Sequence, residues 1–460
     1  MRLPLRLLAL PLAAAISMTV LAATSPDGHR THADKYSAAF PTDPQAPTER
    51  LVDVPCVKGF ADAFPCKNVD LLSFVPYGEI YSDDPLSAEG TIDSLKLSEI
   101  WGWANPDTGS EFVAVGVNTG VVFFNVTDPY DPVNVGYINA ETPADLHWFD
   151  IKVYDGYAVI TSESIPFGML TFDMRQLEGV TEAQQWQPSG VYGANLTAHN
   201  VAVNEETGFA YLVGSGTITG ATTSNLPTGP IAAEPCRSGL HAVDLSIPAA
   251  PIFAGCFALD GYTHDAQCVL YDGPDTDHTG REICFAYNED EVVIVDMTDK
   301  ILSFEIARFS YSDVAYTHQG WLTEDGRHLL FNDEGDEQDF GRNTRTLVAD
   351  VSDLDNPVLV GEYNHKTTSI DHNNYVLDGL AYQSNYTTGL QILDLDGIAT
   401  AELETVAFFD TFPSHDNPVF LGTWGNYPYL PSGNIVISGG AEGLFIVRLQ
   451  PDVLAKYRSN

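Results

Sequence analysis

Histidine is the residue type whose spacing in this chain points to chemistry. It returns at intervals near fifty residues, each time opening a short run that ends in a turn, as in "DLHWFDIKVYDG", "AHNVAVNEETG" and "THQGWLTEDG". The histidines that share this position are His147, His199, His264, His318, His372 and His415. Neutral imidazole is a ligand of zinc, copper, iron and nickel. Three or four such side chains that converged could hold a divalent transition metal and leave a coordination position open.

Carboxylates adjoin several of these histidines in the sequence. They are Asp145, Asp265, Asp371 and Asp416, and each could orient an imidazole by accepting a hydrogen bond from its second nitrogen. A structural interpretation stands beside the metal site. A histidine at a junction between repeated units recurs simply because the unit recurs. Its role can then be structural, a hydrogen bond to the backbone or to a residue of the next unit. The sequence leaves both interpretations open.

Two acidic loops are candidate calcium sites, because closely spaced carboxylates in a turn suit a hard cation. "YDGPDTDHTGRE" holds Asp272, Asp275 and Asp277, and "NDEGDEQDFG" holds Asp333, Glu334, Asp336, Glu337 and Asp339. Neither loop has the EF-hand pattern. The alternative is an ordinary solvated surface in an acidic protein.

The elements that position these residues are repeated β-strands. A strand ending in Asp, a turn and a second strand recur, as in "GVVFFNVTDPYDPVNVGYI" and "EVVIVDMTDKILSFEIARF". The runs are β-branched and aromatic and are bounded by Gly, Pro, Asp or Asn, which favours strands. Seven copies of a four-stranded unit predict an all-β fold, a seven-bladed β-propeller. The first strand of each blade then lines the central channel, and the histidines form a ring.

The ends of the repeat predict how the ring closes. The last copy stops after its third strand, "LFIVRL", and "NVDLLSFVPYGEI" at residues 68–80 supplies a candidate fourth strand. Closure by an N-terminal strand would protect the blade edges. The predicted organisation is a signal peptide at 1–23, an arm with a small disulfide loop at 24–67, the propeller at 68–450 and a tail at 451–460.

Six cysteines in an exported chain predict disulfides. The strand layout places Cys268 and Cys284 on adjacent strands of one blade, and Cys236 and Cys256 on adjacent strands of another. Cys56 and Cys66 lie close together before the first repeat. We therefore predict the pairs Cys56–Cys66, Cys236–Cys256 and Cys268–Cys284.

Composition restricts the compartment and the partners. Arg2 and Arg6 precede an apolar run that ends in small residues near Ala22, which is typical of a secretory signal peptide. We expect a secreted or periplasmic monomer without a membrane span. The net charge of −42, from 63 acidic and 21 basic residues, excludes nucleic acid and anionic lipid as partners. A protein, a glycan or a small molecule remains as the expected ligand.

The chain resembles the choice-of-anchor B family of secreted proteins with LVIVD repeats. The stretches that carry the resemblance include "IWGWANPDTGSEFVAVG", "HDAQCVLYDGPDTDHTGREICFAYNED", "VVIVDMTDK" and "TRTLVADVSDLDNPVLVGEY". The resemblance implies a β-propeller outside the cytoplasm. Family members carry varied C-terminal sorting anchors, whereas the last residues here, "QPDVLAKYRSN", show none. The family supplies no established reaction.

Two functions are consistent with these observations. The first is an exported binding or scaffold propeller that is supported by a bound metal. The second is a metal-dependent enzyme, an oxidoreductase or a hydrolase, that uses a transition metal held by the channel histidines. An enzyme needs an open coordination position and a pocket above the metal, whereas a scaffold needs neither.

Overall fold

The computed structural model describes residues 42–82, 97–118, 120–140, 148–163, 165–193, 196–217 and 236–457. The predicted signal peptide, His147 and Asp145 lie outside these ranges. Within them, no helix has the length and apolar character that crossing a membrane requires.

Seven antiparallel sheets form the blades of a β-propeller, which confirms the predicted fold. Each blade is named by its place in the chain, and its strands run from the channel outwards. Blade one comprises Leu97–Ala104, Glu111–Val117, Gly120–Asn125 and Val133–Asn139. Blade two comprises Phe149–Tyr154, Tyr157–Ser162, Met169–Asp173 and Gly190–Tyr192. Blade three comprises Asn200–Asn204, Phe209–Val213, Leu240–Asp244 and Ile252–Phe257.

The remaining four blades repeat this order. Blade four comprises Asp265–Leu270, Glu282–Tyr287, Val292–Asp296 and Phe304–Phe309. Blade five comprises Thr317–Leu322, His328–Asp333, Arg345–Asp350 and Val358–Asn364. Blade six comprises Asn374–Leu377, Leu380–Ser384, Leu390–Asp394 and Glu404–Phe409. Blade seven comprises Gly425–Tyr427, Asn434–Ser438, Gly443–Leu449 and Val69–Pro76. The first strands of blades one and seven contact each other, so the ring is closed.

Burial follows the position of each strand in its blade. Val292–Asp296, the third strand of blade four, is buried at every residue because other blades cover both of its faces. Val358–Asn364, an outermost strand, is exposed or half-buried throughout. A shift in pairing register recurs between third and fourth strands, as between Ile294 and Val295, and such a bulge increases the local twist.

The ring closes as the sequence predicts. Val69–Pro76 pairs antiparallel with Gly443–Leu449 and becomes the fourth strand of blade seven. The Phe74 and Phe445 rings lie 4.6 Å apart between these strands. Two preceding segments extend the blade edges: Leu51–Val54 pairs with Val69–Pro76, and Phe64–Lys67 pairs with Glu404–Phe409.

Short elements complete the described chain. They are the strands Phe60–Ala61, Leu196–Thr197 and Gly216–Thr217, the helices Tyr77–Ser82, Asp336–Phe340 and Pro451–Tyr457, and the 3₁₀ turns Met174–Leu177 and Ile398–Thr400. The helix Asp336–Phe340 follows the second strand of blade five and carries the acidic residues of that loop.

Two of the predicted disulfides are present, Cys56–Cys66 and Cys268–Cys284. The second joins directly opposed residues on the first two strands of blade four. The pair Cys236–Cys256 stays a prediction. The Cys236 sulfur lies 4.0 Å from the carbonyl oxygen of Gly255, the residue before Cys256.

Candidate metal centre

Four of the predicted histidines lie side by side in the channel, one from each of blades three to six. The ring centroids are 4.3 Å apart for His199 and His264, 4.2 Å for His264 and His318, and 4.5 Å for His318 and His372. Each residue lies at or just before the first strand of its blade, and all four are buried. We call these four residues the histidine row.

The register predicted for His415 is wrong. Its ring lies 5.1 Å from that of Phe412, and the first strand of blade seven, Gly425–Tyr427, begins only ten residues later. Trp424 takes the place beside His372 instead, with the ring centroids 4.9 Å apart. The segment that His415 opens forms turns rather than a strand. Spacing alone therefore aligned it with the wrong part of its blade.

Glu334 lies between two histidines of the row. Its carboxylate oxygens are 3.7 Å from Nε2 of His318 and 3.7 Å from Nε2 of His372. The Tyr386 hydroxyl donates a hydrogen bond of 2.7 Å to Glu334 Oε1. One donor atom each from His318, Glu334 and His372 lies within 4.8 Å of the others, and all three residues are buried.

Backbone carbonyls fix the orientation of two imidazoles. His372 Nδ1 donates to the carbonyl oxygen of Trp424 at 2.5 Å, and His264 Nδ1 donates to that of His318 at 2.9 Å. A carbonyl only accepts, so Nδ1 carries the hydrogen and a neutral ring presents its lone pair at Nε2. Burial lowers the pKa of His372 to about 3 and that of His264 well below its usual range, so both are neutral at pH 7.

The Nε2 lone pair of His372 therefore faces a carboxylate oxygen of Glu334. Both atoms accept hydrogen bonds, and neither donates one to the other. A distance of 3.7 Å is longer than a hydrogen bond. It is near the separation of about 3.4 Å between two ligands of one tetrahedral metal with bonds of about 2.1 Å. The chemistry of this donor set thus fits a bound cation.

The other end of the row has a different character. His199 Nδ1 lies 3.1 Å from the carboxylate of Glu163. Burial lowers the pKa of His199, but the carboxylates of Glu163, Glu334 and Asp150 outweigh it, and the net pKa is above the usual value. The histidine row therefore contains one imidazole that favours protonation, that of His199, and two that favour the neutral form, those of His264 and His372.

Sequence reasoning did not assign Glu163 and Glu334 to the histidines, although a signal was present. Each glutamate directly follows the second strand of its blade, in "VITSE" and "LFNDE". In the sequence, Glu334 stands out only as part of an acidic loop. An alignment of second strands as well as first strands would have placed both residues at the level of the histidines.

The predicted carboxylate partners occupy other places. Asp265 Oδ1 accepts the backbone N–H of Ala266, and burial raises the pKa of Asp265 to about 7. Asp371 is buried, whereas Asp416 is exposed. The orienting role of these residues stays a prediction, because the partners observed on the imidazoles are carbonyls and glutamates.

Hydrogen bonds occupy much of the two predicted calcium loops. Asp275 accepts from the backbone of Asp277 and Leu354, and it forms a three-donor group with His278 and Asp355, while Asp272 is exposed. In the second loop, both oxygens of Asp333 accept hydrogen bonds, and Asp336 forms an ion pair with Arg345. Calcium binding by these loops stays a prediction.

A second buried group of charges lies on the first strands of blades one and two. Lys152 Nζ lies 2.7 Å from Asp150 Oδ1, and Asn373 Nδ2 donates to Glu99 Oε2 at 2.7 Å. Burial, which outweighs the attraction of Lys152, raises the pKa of Glu99 to about 8. Sequence reasoning did not anticipate this group.

Comparisons with known proteins add no family. No family model and no curated protein matches the chain. Among solved structures, one titled "Crystal Structure of Mitotic Checkpoint Complex" is similar over 97% of this chain and 99% of that chain, with 12% identity and a TM-score of 0.47. The resemblance to the choice-of-anchor B family therefore stays an expectation from the sequence.

Proposed function

We propose that the protein is a metal-binding β-propeller in which His318, Glu334 and His372 hold a divalent transition metal. The observation that carries the proposal is the convergence of three buried donor atoms within 4.8 Å of one another. Two imidazoles and one carboxylate suit zinc, iron and manganese, and leave further coordination positions.

The neighbours of these ligands support the proposal. Tyr386 holds one carboxylate oxygen of Glu334 by a hydrogen bond, and the Trp424 carbonyl holds the His372 ring. Such contacts fix the ligands in place before a metal arrives. A bound metal would supply Lewis-acid or redox chemistry, while the residues of this chain orient the ligands and exclude water.

We infer that the protein is primarily a binding or scaffold protein, in which the metal links adjacent blades. The side chains of His318, Glu334 and His372 are 1%, 0% and 5% exposed, and a metal so enclosed suits a structural task. Metal-dependent catalysis is the second candidate. It is favoured by the small ligand number, because an enzyme needs positions that a substrate or water can take.

We also infer export and membership of the secreted LVIVD-repeat proteins. The disulfides Cys56–Cys66 and Cys268–Cys284 support an oxidising compartment. They agree with the apolar N-terminal run and with the repeats that resemble those of this family.

Elemental analysis by mass spectrometry tests the metal site. Untagged protein is purified without chelators, as wild type, as His318→Ala and as Glu334→Gln. We expect near-stoichiometric zinc, iron or manganese in the wild type, and a metal content far below that of the wild type in both variants, because each variant lacks one of the three proposed ligands.

His365→Gln is the matched control. His365 is a buried histidine whose Nε2 contacts the Thr346 hydroxyl at 3.1 Å, outside the histidine row. Its metal content should equal that of the wild type. A folded wild type that takes up none of these metals, or variants that retain the metal fully, would make the histidines structural.

A further inference from the structure

A cavity of about 620 Å³ lies between the outer strands of blades five and six. The strand Val358–Asn364 contributes Tyr363 to its wall, and the strand Glu404–Phe409 contributes Thr405 and Phe408. Small-molecule sites in proteins occupy about 300–1,000 Å³, so this volume suits a ligand. The cavity is separate from the histidine row, because the row lies at the inner strands, which line the channel.

The N-terminal edge strand Phe64–Lys67 forms part of the cavity wall. Pro65 and Lys67 line the cavity, and the carbonyl oxygen of Pro65 accepts the backbone N–H of Asp410 at 2.9 Å. Lys67 Nζ donates to the carbonyl oxygen of Thr405 at 2.9 Å. These contacts join the edge strand to blade six, so the cavity is formed before a ligand binds.

Asp410 is a carboxyl in the wall of this cavity and is only 9% exposed. Its Oδ1 accepts the backbone N–H of Phe412 at 2.8 Å, whereas Oδ2 accepts no hydrogen bond from a described residue. Burial, and then the charges of Asp416 and Asp43, raise the pKa of Asp410 to about 7. A buried carboxylate that lacks a cation is unfavourable, so a ligand that supplies a positive charge would stabilise it.

Lys366 places the opposite charge at the same cavity. It lies just after the outer strand of blade five, is exposed to solvent and pairs with no residue of the described ranges. Asp410 and Lys366 therefore line one cavity without forming an ion pair with each other. The cavity separates one uncompensated negative charge from one uncompensated positive charge, and it opens to solvent beside Lys366.

We propose that this cavity binds a small zwitterion, an amino acid or a short peptide, with its ammonium group at Asp410 and its carboxylate at Lys366. Hydrogen bonds between charged groups are roughly twice as strong as those between neutral groups. The rings of Tyr363 and Phe408 offer apolar surface to the rest of the ligand. An uncharged sugar would compensate neither charge. The proposal goes beyond the metal site and does not depend on it.

Calorimetric titration of the full chain with each common L-amino acid, with dialanine and with trialanine tests the cavity. We expect at least one of them to bind saturably at one site per chain and to raise the Tm. Its N-acetyl derivative lacks the ammonium group, and its amide lacks the carboxylate. Each derivative should bind roughly tenfold or more weakly, because one charge at the cavity then stays unpaired.

Two variants remove one charge each. Asp410→Asn should weaken binding roughly tenfold or more and abolish the preference for the ligand over its N-acetyl derivative. Lys366→Met should weaken binding by a similar factor, and it should fold as the wild type because Lys366 is exposed. Asp396→Asn is the matched control, since it changes an exposed acid of blade six outside the cavity and should bind as the wild type.

Three results would overturn the proposal. The first is that none of these zwitterions produces saturable heat or a rise in Tm. The second is unchanged affinity in Lys366→Met. The third is saturable binding of D-glucose or D-galactose in the absence of zwitterion binding, which would assign the cavity to a sugar. Metal content in Asp410→Asn should equal that of the wild type, which separates this test from that of the metal site.

Discussion

Individual imidazoles in this propeller differ in charge because their surroundings differ, although they share one place in the repeat. His372 and His264 are held neutral by burial, whereas Glu163 favours the protonated form of His199. A repeated residue type therefore does not imply a repeated role. The same reasoning applies to buried histidines away from the row, where it gives a measurable pH dependence.

His365 should make the folded protein sensitive to mild acid. Burial lowers its pKa from 6.5 to about 4, so the unfolded chain binds a proton more readily than the folded one. Stability is then lost as the pH falls below about 6.5, by about 1.4 kcal/mol per pH unit until the folded pKa is reached. Urea unfolding should show that the wild type loses about 2 kcal/mol more than His365→Gln between pH 7 and pH 5. Equal losses in both proteins would contradict this assignment.

Lys152 should be essential to the buried charges of blades one and two. Its side chain is 12% exposed and contacts Asp150, which is 4% exposed. Lys152→Met removes the cation and leaves carboxylates uncompensated, so we expect a loss of about 3 kcal/mol in urea unfolding.

A surface pair supplies the control for Lys152. Arg327 and Asp325 are 55% and 57% exposed, and Arg327→Met should change stability by less than about 0.5 kcal/mol. If Lys152→Met and Arg327→Met lower the free energy of unfolding by the same amount, then water reaches the charged group around Lys152 in solution.

The histidine row shows how much of a site spacing alone can predict. His199, His264, His318 and His372 share a register because each opens a strand of the same kind, and sequence shows that directly. Glu334 and Tyr386 come from second strands and loops, which depend on how neighbouring blades pack. The spacing of His415 misleads because the chain forms turns after this residue and the first strand of its blade begins only at Gly425.

Blades are the elements that the sequence predicts best. Their third strands, such as "VVIVD" at Val292–Asp296, are continuous apolar runs because they are buried on both faces. Edge strands such as Phe64–Lys67 are short and mixed in composition, so a run of apolar residues does not reveal them. Their pairing depends on a partner strand far away in the sequence.

The disulfide Cys268–Cys284 should stabilise blade four measurably. It closes a loop between residues separated by 16 positions, and the chain-entropy argument gives about 3 kcal/mol for a loop of this size. The double variant Cys268→Ala with Cys284→Ala should lose that amount in chemical unfolding, and a reductant should then have less effect on it than on the wild type. A loss below about 1 kcal/mol would mean that the bond contributes little to the unfolding equilibrium.

Phe74 should be critical to the closing strand. It is fully buried between Phe64 and Phe445, with ring centroids 5.8 Å and 4.6 Å away. Phe74→Ala should cost about 3–5 kcal/mol, whereas Val52→Ala on the adjacent exposed edge should cost far less. Hydrogen exchange should increase in Gly443–Leu449, the partner strand. Protection that stays unchanged there would show that the ring does not depend on this closure.

At the scale of the whole molecule, the net charge of −42 should make stability depend on salt. Like charges repel more strongly in the compact state, and ions screen that repulsion. The Tm should rise with added NaCl, and choline chloride at the same ionic strength should give a similar rise. A rise with sodium alone would indicate specific ion binding instead of screening.

Closure of the ring by Val69–Pro76 also has a consequence for how the chain folds while it is being synthesised. This strand precedes all the other blade strands in the chain, whereas its partner, Gly443–Leu449, follows all of them. Blade seven cannot be completed until Gly443–Leu449 has been synthesised, and Val69–Pro76 must wait without that partner. Such long-range pairing slows folding and exposes strands to wrong partners. A growing chain of this design would benefit from protection of Val69–Pro76 until the two strands meet.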